Sequence, residues 1–568
     1  MTDGWLRASW AALCGRASRS EWARDQLTRD PEGAALADQY GWSAVAQDAP
    51  IPLDRSRNRS ERAARGQVFT PRVVADALCA LADVAARDRD PRILDPACGD
   101  GSLLLAALDQ RVAAGWDPSA ALVAVTGVDA DPAAAFAARA ALVSWALDHD
   151  AEAEVNIRCA DALLGPADAV AGVFGTVLAN PPFVEAKRLG AAFPGLALRL
   201  RAAHPELSGA FDLYLAFCVR ALDQITDDGR IALVLPNKVL MARYAARFRE
   251  RVERGPVRLA ALVDASHVRP RLFTGTGVYP VLLGLGRGSA PVRSARPTTP
   301  AALARLDLRD MGMPSAAAWF APIPETWGLL APLLAHRPGG AIASFRSACS
   351  FHRRGLRERY VTRDRPDGPA WPYLGGPSRA RETEVRPFRL RWAGWWIRYD
   401  TAALAADGNP LPPLANFIRP KVILCQHGPR LRAWVDADGA YVTKDVYPVV
   451  WPSDPAWDVW TLGAVLNSTV FTALYNTLFH GVTCGSETYH YLPALLASVP
   501  VPPIAELAGV GDLARAAQNG DPDAWDAADR RVTAAYALDE AARALLAHHH
   551  LHRVGAEAPT SPRSPSPT

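Results

Sequence analysis

The feature that most limits the fold is a repeated unit: a short apolar run, an acid or amide at its end, and then helix-forming sequence. Ile93-Leu94 stops at Asp95, Leu122 to Val128 stops at Asp129, Val155 to Cys159 is followed by Ala160-Asp161, and Val177-Leu178-Ala179 stops at Asn180. Short runs rich in Val, Ile and Leu read as buried strands, and strands alternating with helices build a parallel sheet covered on both faces. Ligands of such open sheets bind just beyond the carboxyl ends of the strands. Any one of these polar residues could be a helix cap, but three acids and one amide at successive strand ends point to a ligand site.

The last of these ends is chemically the most specific. In Asn180-Pro181-Pro182-Phe183 the prolines lack N–H donors and hold φ near −65°, so the chain leaves the strand as a stiff corner. An amide oxygen, a rigid proline carbonyl and an aromatic face suit the gripping of a planar exocyclic amine. The plain alternative is a strand ending in a proline turn. Upstream, Asp95-Pro96-Ala97-Cys98-Gly99-Asp100-Gly101-Ser102 turns through glycines into a helix. Such a turn lets a ligand approach the backbone closely, and Asp129 is placed to accept ribose hydroxyls. The span from Asp95 to Asp129 suggests an insertion around Gly115 to Pro118. Thr70-Pro71 marks a helix start, continued by Val73, Val74, Ala77, Leu78 and Leu81 and preceded by Arg55, Arg57, Arg59, Arg62 and Arg65. Phe273, in the Gly/Thr/Arg loop from Arg269 to Gly275, is expected to be exposed, either anchoring the loop or acting in the site.

Composition narrows the rest. The 568 residues suffice for three or four domains. No long charge-free apolar run and no secretory leader pattern are present, so a cytoplasmic chain with no membrane partner is expected. The eight cysteines contain no Cys-x-x-Cys pair, which argues against zinc ribbons and a disulfide framework. His548, His549, His550 and His552 read as a solvated helix end, and no metal is expected. Net charge is only +3, but residues 345–400 hold thirteen arginines against six acids, interleaved with aromatics such as Tyr360, Trp371, Trp392, Trp395 and Trp396. That mixture suits phosphate neutralisation and base contact, with a solvated arginine-rich surface as the alternative.

Taken together, these residues resemble the γ-type DNA adenine-N6 methyltransferases, in particular the TaqI-like and Eco57I-like restriction-modification methylases. Gly66 to Pro71 is similar to their motif X, Asp95 to Gly101 to motif I, Asp129 to motif II, Asp161 to motif III and Asn180 to Phe183 to the catalytic motif IV. Asp100 stands where many members have a small residue, and Asp129 where many have Glu. Leu466-Asn467-Ser468 and the stretch from Leu492-Pro493 to Val501-Pro502-Pro503 resemble the end of the TaqI-like specificity domain.

The resemblance implies an α/β fold: a Rossmann-like class I S-adenosylmethionine-dependent methyltransferase domain followed by an α+β target-recognition domain. The expected segments are a helical extension (1–60), the methyltransferase domain (61–288), a linker and helical bridge (289–344), the recognition domain (345–505) and a helical tail with a disordered end (506–568). It further implies S-adenosylmethionine as cofactor, held by Thr70, Pro71, Asp95, Pro96, Ala97, Gly99, Gly101, Asp129, Asp161 and Asn180, and a catalytic set of Asn180, Pro181, Pro182, Phe183 and Phe273. Double-stranded DNA is the implied partner, with a separate restriction endonuclease or defence subunit as a further one. The rival readings are a methyltransferase of RNA or of protein glutamine, a fused nuclease, and a silent DNA-recognition subunit. The only Glu-x-Lys, Glu185-Ala186-Lys187, lies inside the proline-corner loop, which argues against the nuclease.

Overall fold

The computed structural model describes residues 20–29, 70–165, 172–273, 279–288, 291–311, 319, 333, 336–351, 355–375, 384–479 and 489–546. The chain divides into two units, residues 1–324 and 325–568. Gly66 to Phe69, the arginines from Arg55 to Arg65, the histidines beyond 547 and the tail from 558 lie outside the described residues.

The first unit is built on a nine-stranded sheet in the order β3-β2-β1-β4-β5-β7-β6-β8-β9. Its strands are β1 (Ile93–Asp95), β2 (Val125–Asp129), β3 (Asn156–Cys159), β4 (Phe174–Ala179), β5 (Ile225–Pro236), β6 (Val257–Asp264), β7 (Pro280–Arg287), β8 (Val292–Ala295) and β9 (Arg309–Met311). Neighbours among β1 to β5 pair in parallel, and β7 runs antiparallel between β5 and β6. From β1 the chain first moves outward through β2 and β3, then returns to place β4 on the other side of β1. That reversal opens a crevice between the carboxyl ends of β1 and β4, where such sheets bind ligands.

Helices cover both faces, which is why β1 and β4 are buried along their whole length. Helix α1 (Glu21–Thr28) is capped by Ser20 and sinks Ala23 and Leu27 into the core. Gln26 accepts the Val155 N–H at 3.0 Å, and Trp22 donates to Ala153 O at 3.2 Å, beside edge strand β3. These residues belong to the core of the first unit, not to a separate extension. Helix α2 (Arg72–Ala82) packs on β4, β5 and β7 and buries Val74, Ala75, Leu78 and Cys79. Burial of Val74 and Leu78 contributes roughly 1.5–3 kcal/mol each; a charge at 78 would break this face. Helix α3 (Ser102–Ala113) follows the glycine turn, α4 (Pro118–Val123) precedes β2, and α5 (Pro132–Asp148) packs on β2 and β3.

Two further expectations are corrected in this unit. Leu122 belongs to α4, not to a strand, because Asp117 accepts the Ala120 N–H at 2.8 Å and Pro118 supplies the first turn. Residues 292–295 are not linker: β8 pairs with β6 and β9 with β8, so the sheet continues past the expected boundary at 288. The alternation of Val292 (buried) and Arg293 (exposed) is a strand pattern that the Pro/Ser/Thr/Arg composition concealed.

The second unit is α+β. One four-stranded sheet has the order β10 (Ala343–Arg346), β20 (Val449–Pro452), β16 (Lys421–Cys425), β18 (Arg432–Asp436). Another orders β11 (Val361–Thr362), β15 (Trp395–Arg398), β12 (Ala370–Leu374), β19 (Val442–Thr443), and two ribbons join β13 (Glu384–Arg386) to β14 (Arg389–Arg391) and β17 (His427–Gly428) to β21 (Tyr489–His490). Two helices, Val459–Asn467 and Thr469–Leu478, follow one another and are kept apart because Ser468 turns extended and caps Phe471. Asn467 bonds both the N–H and the carbonyl of Ala433, at 2.8 and 3.0 Å. The helices Val510–Gln518 and Pro522–Ala535 are part of this unit rather than a tail: Gln518 bonds Val435 N and O at 3.0 and 2.7 Å.

Candidate active site

Asp95 ends β1 between Asp129, which ends β2, and Asn180, which follows β4. The glycine turn ties the first two ends together. Cys98 N–H donates to Val128 O at 3.0 Å, Gly99 N–H to Asp129 Oδ2 at 2.9 Å, and Ala97 N–H to Asp95 Oδ1 at 3.1 Å. Asp129 Oδ1 also accepts the Asp131 N–H at 2.9 Å. Gly99 adopts φ +54 with open space where a Cβ would stand, whereas at Gly101, φ +80, a Cβ would press on Ala138 and Leu142. Gly99 thus leaves room for a ligand, and Gly101 lets α3 pack against α5.

The turn is an acidic pocket. Asp95 is 1% exposed, and its Oδ2 is buried without a hydrogen-bond partner. Burial pushes its carboxyl up to about 8; the Ala97 N–H opposes the rise, and the charges of Asp129 and Asp100 add to it. Burial also raises Asp129, against the N–H groups of Asp131 and Gly99. A cation seated here would satisfy the orphan oxygen and relieve the mutual repulsion. S-adenosylmethionine, with an ammonium, a sulfonium and two ribose hydroxyls, fits that donor set.

Across the crevice, Asn180 Nδ2 donates to Thr70 Oγ1 at 3.0 Å. Thr70 is therefore engaged with the corner and does not cap α2; the Pro71 carbonyl takes that part, accepting from Val74 and Ala75 at 2.9 and 3.0 Å. Fixing the amide through its nitrogen directs the oxygen end away from Thr70. Pro181 is buried and Pro182 half-buried, and Pro182 O accepts the Val184 N–H at 3.1 Å. Phe183 is half-buried and meets Tyr214 edge-on, with centroids 6.5 Å apart at 86°.

Two expected site residues sit differently. Phe273 is only 4% exposed, inside the apolar core cluster against which Phe183 and Leu272 also pack. The expectation of an exposed ring is corrected: the segment from Ser266 turns inward, with Arg269 bound to Ser266 O and Val268 O at 3.0 Å each. Asp161 is exposed after β3, and its Oδ1 accepts from Leu163 and Leu164 at 2.9 and 3.1 Å, so one of its oxygens serves a local turn. Asp212 was not foreseen: it is 7% exposed and accepts the Ala186 N–H, just past the corner, at 2.9 Å. In sequence it is only an acid before a helix.

The strand order, the crevice and the acidic glycine turn define a class I S-adenosylmethionine-dependent methyltransferase. Residues 56–289 match the model of the N-6 DNA methylase family. Over those residues the chain is similar to this family, and the match supports an adenine-N6 DNA methyltransferase with S-adenosylmethionine as its methyl donor. Among solved structures, the type IIL restriction-modification enzyme MmeI in complex with DNA is 13% identical, with a TM-score of 0.51 over 85% of this chain and 75% of that one. At that identity the likeness speaks for the fold. The DrdV–DNA complex is 13% identical over 88% of this chain and 64% of that one, TM-score 0.49. A type I restriction-modification methyltransferase subunit from Streptococcus thermophilus is 20% identical over 40% and 47%, TM-score 0.31.

Proposed function

We propose that the chain is a site-specific methyltransferase of a restriction-modification or phage-defence system, working in the cytoplasm on an adenine turned out of duplex DNA. The observation that carries this reading is the corner itself: a rigid Asn-Pro-Pro-Phe whose amide is held through its nitrogen by Thr70, across a crevice from the acidic pocket. The adenine N6 lone pair is delocalised into the ring and must be localised to react. Asn180 Oδ1 and the Pro181 carbonyl each accept one N6 hydrogen, concentrating electron density on nitrogen without a strong base. Pro182 stiffens the corner, and the Phe183 face stacks on the extruded base, offsetting part of the few kcal/mol that flipping costs. Phe273 contributes from behind, in the cluster that supports Phe183.

S-adenosylmethionine, when bound, supplies an electrophilic methyl group. Asp129 accepts its ribose hydroxyls with the lone pairs that its two N–H bonds leave. Asp161 faces the adenine amine, Asp95 the cationic methionine portion, and Thr70 and Pro71 the amino-acid end. Pro96, Ala97, Gly99 and Gly101 shape the turn. Residues 325–546 hold and read the duplex, with their arginines on phosphate and base edges, and a separate nuclease or defence subunit completes the system. The test is long-read sequencing of DNA from cells expressing the chain. N6-methyladenine in one sequence context supports the reading; unmodified DNA, with methylation of RNA or of protein glutamine instead, overturns it.

A further inference from the structure

Behind the corner lies a chain of polar groups, buried at Asp212 and Tyr214 and half-buried at Tyr244, that the proposed chemistry does not use. Asp212 precedes the helix Tyr214–Asp223, and its two oxygens face two ways. Oδ1 accepts the Ala186 N–H at 2.9 Å, and Oδ2 accepts the Tyr244 hydroxyl at 2.8 Å. Tyr244 O lies 2.9 Å from the Tyr214 hydroxyl. Because Tyr244 spends its only proton on Asp212, Tyr214 must donate to Tyr244, so the chain has one direction: Tyr214 to Tyr244 to Asp212. Tyr214 is 0% exposed, and its ring stands nearly perpendicular to that of Phe183. Next to Asp212, Leu213 N–H donates to Val184 O at 2.9 Å. Lys238, after β5, reaches Glu185 at 2.9 Å and Asp212 at 4.0 Å.

These contacts meet the Asn-Pro-Pro-Phe segment only on its far side. Thr70 holds Asn180 at one end; Asp212 and Leu213 hold Val184 and Ala186 at the other; the Tyr214 ring packs against that of Phe183. With no N–H on Pro181 or Pro182, the corner has few backbone donors of its own, so these flanking clamps contribute to its shape. We propose that Asp212, Tyr244 and Tyr214 are positioning residues that brace the corner, keeping Asn180 and Phe183 in the arrangement that receives the adenine. The inference rests on the proposed function for what the corner holds, but not for the brace itself.

The experiment uses the full chain and the variants Asp212→Ala, Asp212→Asn and Tyr244→Phe. Asp212→Ala removes both acceptors. It should lower kcat on DNA on the order of tenfold to a hundredfold, as expected for lost hydrogen bonds to a buried charged group, with S-adenosylmethionine affinity unchanged by calorimetry. Asp212→Asn should recover much of the rate, because its amide can donate to Tyr244 and the hydroxyl chain can reverse. Tyr244→Phe should fall between them. A fluorescent adenine analogue at the target should show impaired capture in the same order.

Hydrogen exchange of the segment around 180–189, followed without DNA, separates this proposal from the function. Faster exchange there in Asp212→Ala, with exchange at the glycine turn unchanged, supports the brace whatever the methyl acceptor proves to be. Unchanged exchange together with unchanged kcat overturns the brace, even where adenine methylation is established. Weakened cofactor binding in step with kcat would also overturn it, since that is the mark of a general loss of structure.

Discussion

Asp95 in the first unit and Asp436 in the second are both almost fully buried, at 1% and 2% exposure, and the protein treats them in opposite ways. Asp436 is matched completely from within its own unit. Its Oδ1 accepts the Ala440 N–H and its Oδ2 the Tyr441 N–H, each at 3.0 Å, and the buried Lys421 ammonium closes on Oδ2. Asp95 accepts one N–H, and its other oxygen has no partner. A buried carboxylate whose two oxygens are both answered by the chain, one of them by a cation, is structural. One left half-answered at a strand end is what the proposed function needs of a ligand site, since a bound cation would complete its solvation.

The hardest test of this contrast is to remove the cation. Lys421→Met leaves Asp436 buried and uncompensated, and should destabilise the second unit by about 3–5 kcal/mol in chemical denaturation. The double change Lys421→Met with Asp436→Leu should recover much of that loss. Asp95→Asn should cost the apo protein nothing, because a neutral group suits the site better, yet weaken S-adenosylmethionine binding. A stability loss in Asp95→Asn as large as in Lys421→Met would erase the distinction.

Next in size is the corner. Asn180→Ala should lower methylation about 10²–10³-fold, the cost of removing one preorganised group from a buried reaction site. Cofactor affinity should stay within about twofold, because the acidic pocket is untouched. Equal losses of rate and cofactor affinity would merge two sites that the structure keeps apart.

A smaller effect is expected on the arginine-rich surface of the second unit. Arg363 lies over Trp395 at 4.5 Å and Arg365 over Trp396 at 5.1 Å, so stacking pre-orders the exposed guanidinium groups. Replacing both with Ala should weaken duplex binding about tenfold and lower its salt slope by about 1–2. Cofactor binding should not change. A salt slope identical to that of the unaltered chain would remove these arginines from the DNA surface.

The gentlest test is pH, where the two units should respond in opposite senses. Asp95 is raised to about 8, so the folded chain holds its proton more tightly than the unfolded one. Its contribution to stability is full below the ordinary carboxylate value near 4 and is lost as pH rises through about 8. His490 stacks on His427 with centroids 4.4 Å apart; burial, and then the neighbouring imidazole, depress it to about 4. Its contribution is full above the ordinary value of 6.5 and is lost as pH falls toward about 4. Melting curves from pH 4 to 9 should therefore show an alkaline-side decline that Asp95→Asn flattens and an acid-side decline that His490→Gln flattens. If each variant left its own slope intact, the two environments would not differ as described.

Much of the site was legible because it is local. Asp95, Asp129, Asp161 and Asn180 each end a strand or follow one closely, and strands with period-two or continuous apolar patterns announce their own ends. The glycine turn and the proline corner likewise carry their conformation in residue type. What was misread depended on distant partners. Phe273 looked exposed because its neighbours are polar, yet the core it enters is made by residues far from it in sequence. Residues 292–295 looked like a linker because their strand character shows only in pairing with β6.

By itself, then, the sequence determined the order of strand, turn and helix and the identity of the groups at each strand end, since these follow from backbone sterics and short-range periodicity. It also determined that positive charge gathers in residues 345–400. Tertiary structure alone decided which of these groups meet. Thr70 reaches Asn180 across 110 positions, Asp212 reaches Ala186 across 26, and Asp436 rather than Asp95 receives the buried lysine. The first two pairings are set by how the first unit's sheet brings its strand ends together, and the third by the register of β16 on β18. Such long-range packing energies are sums over many residues, and no short stretch of the chain encodes them.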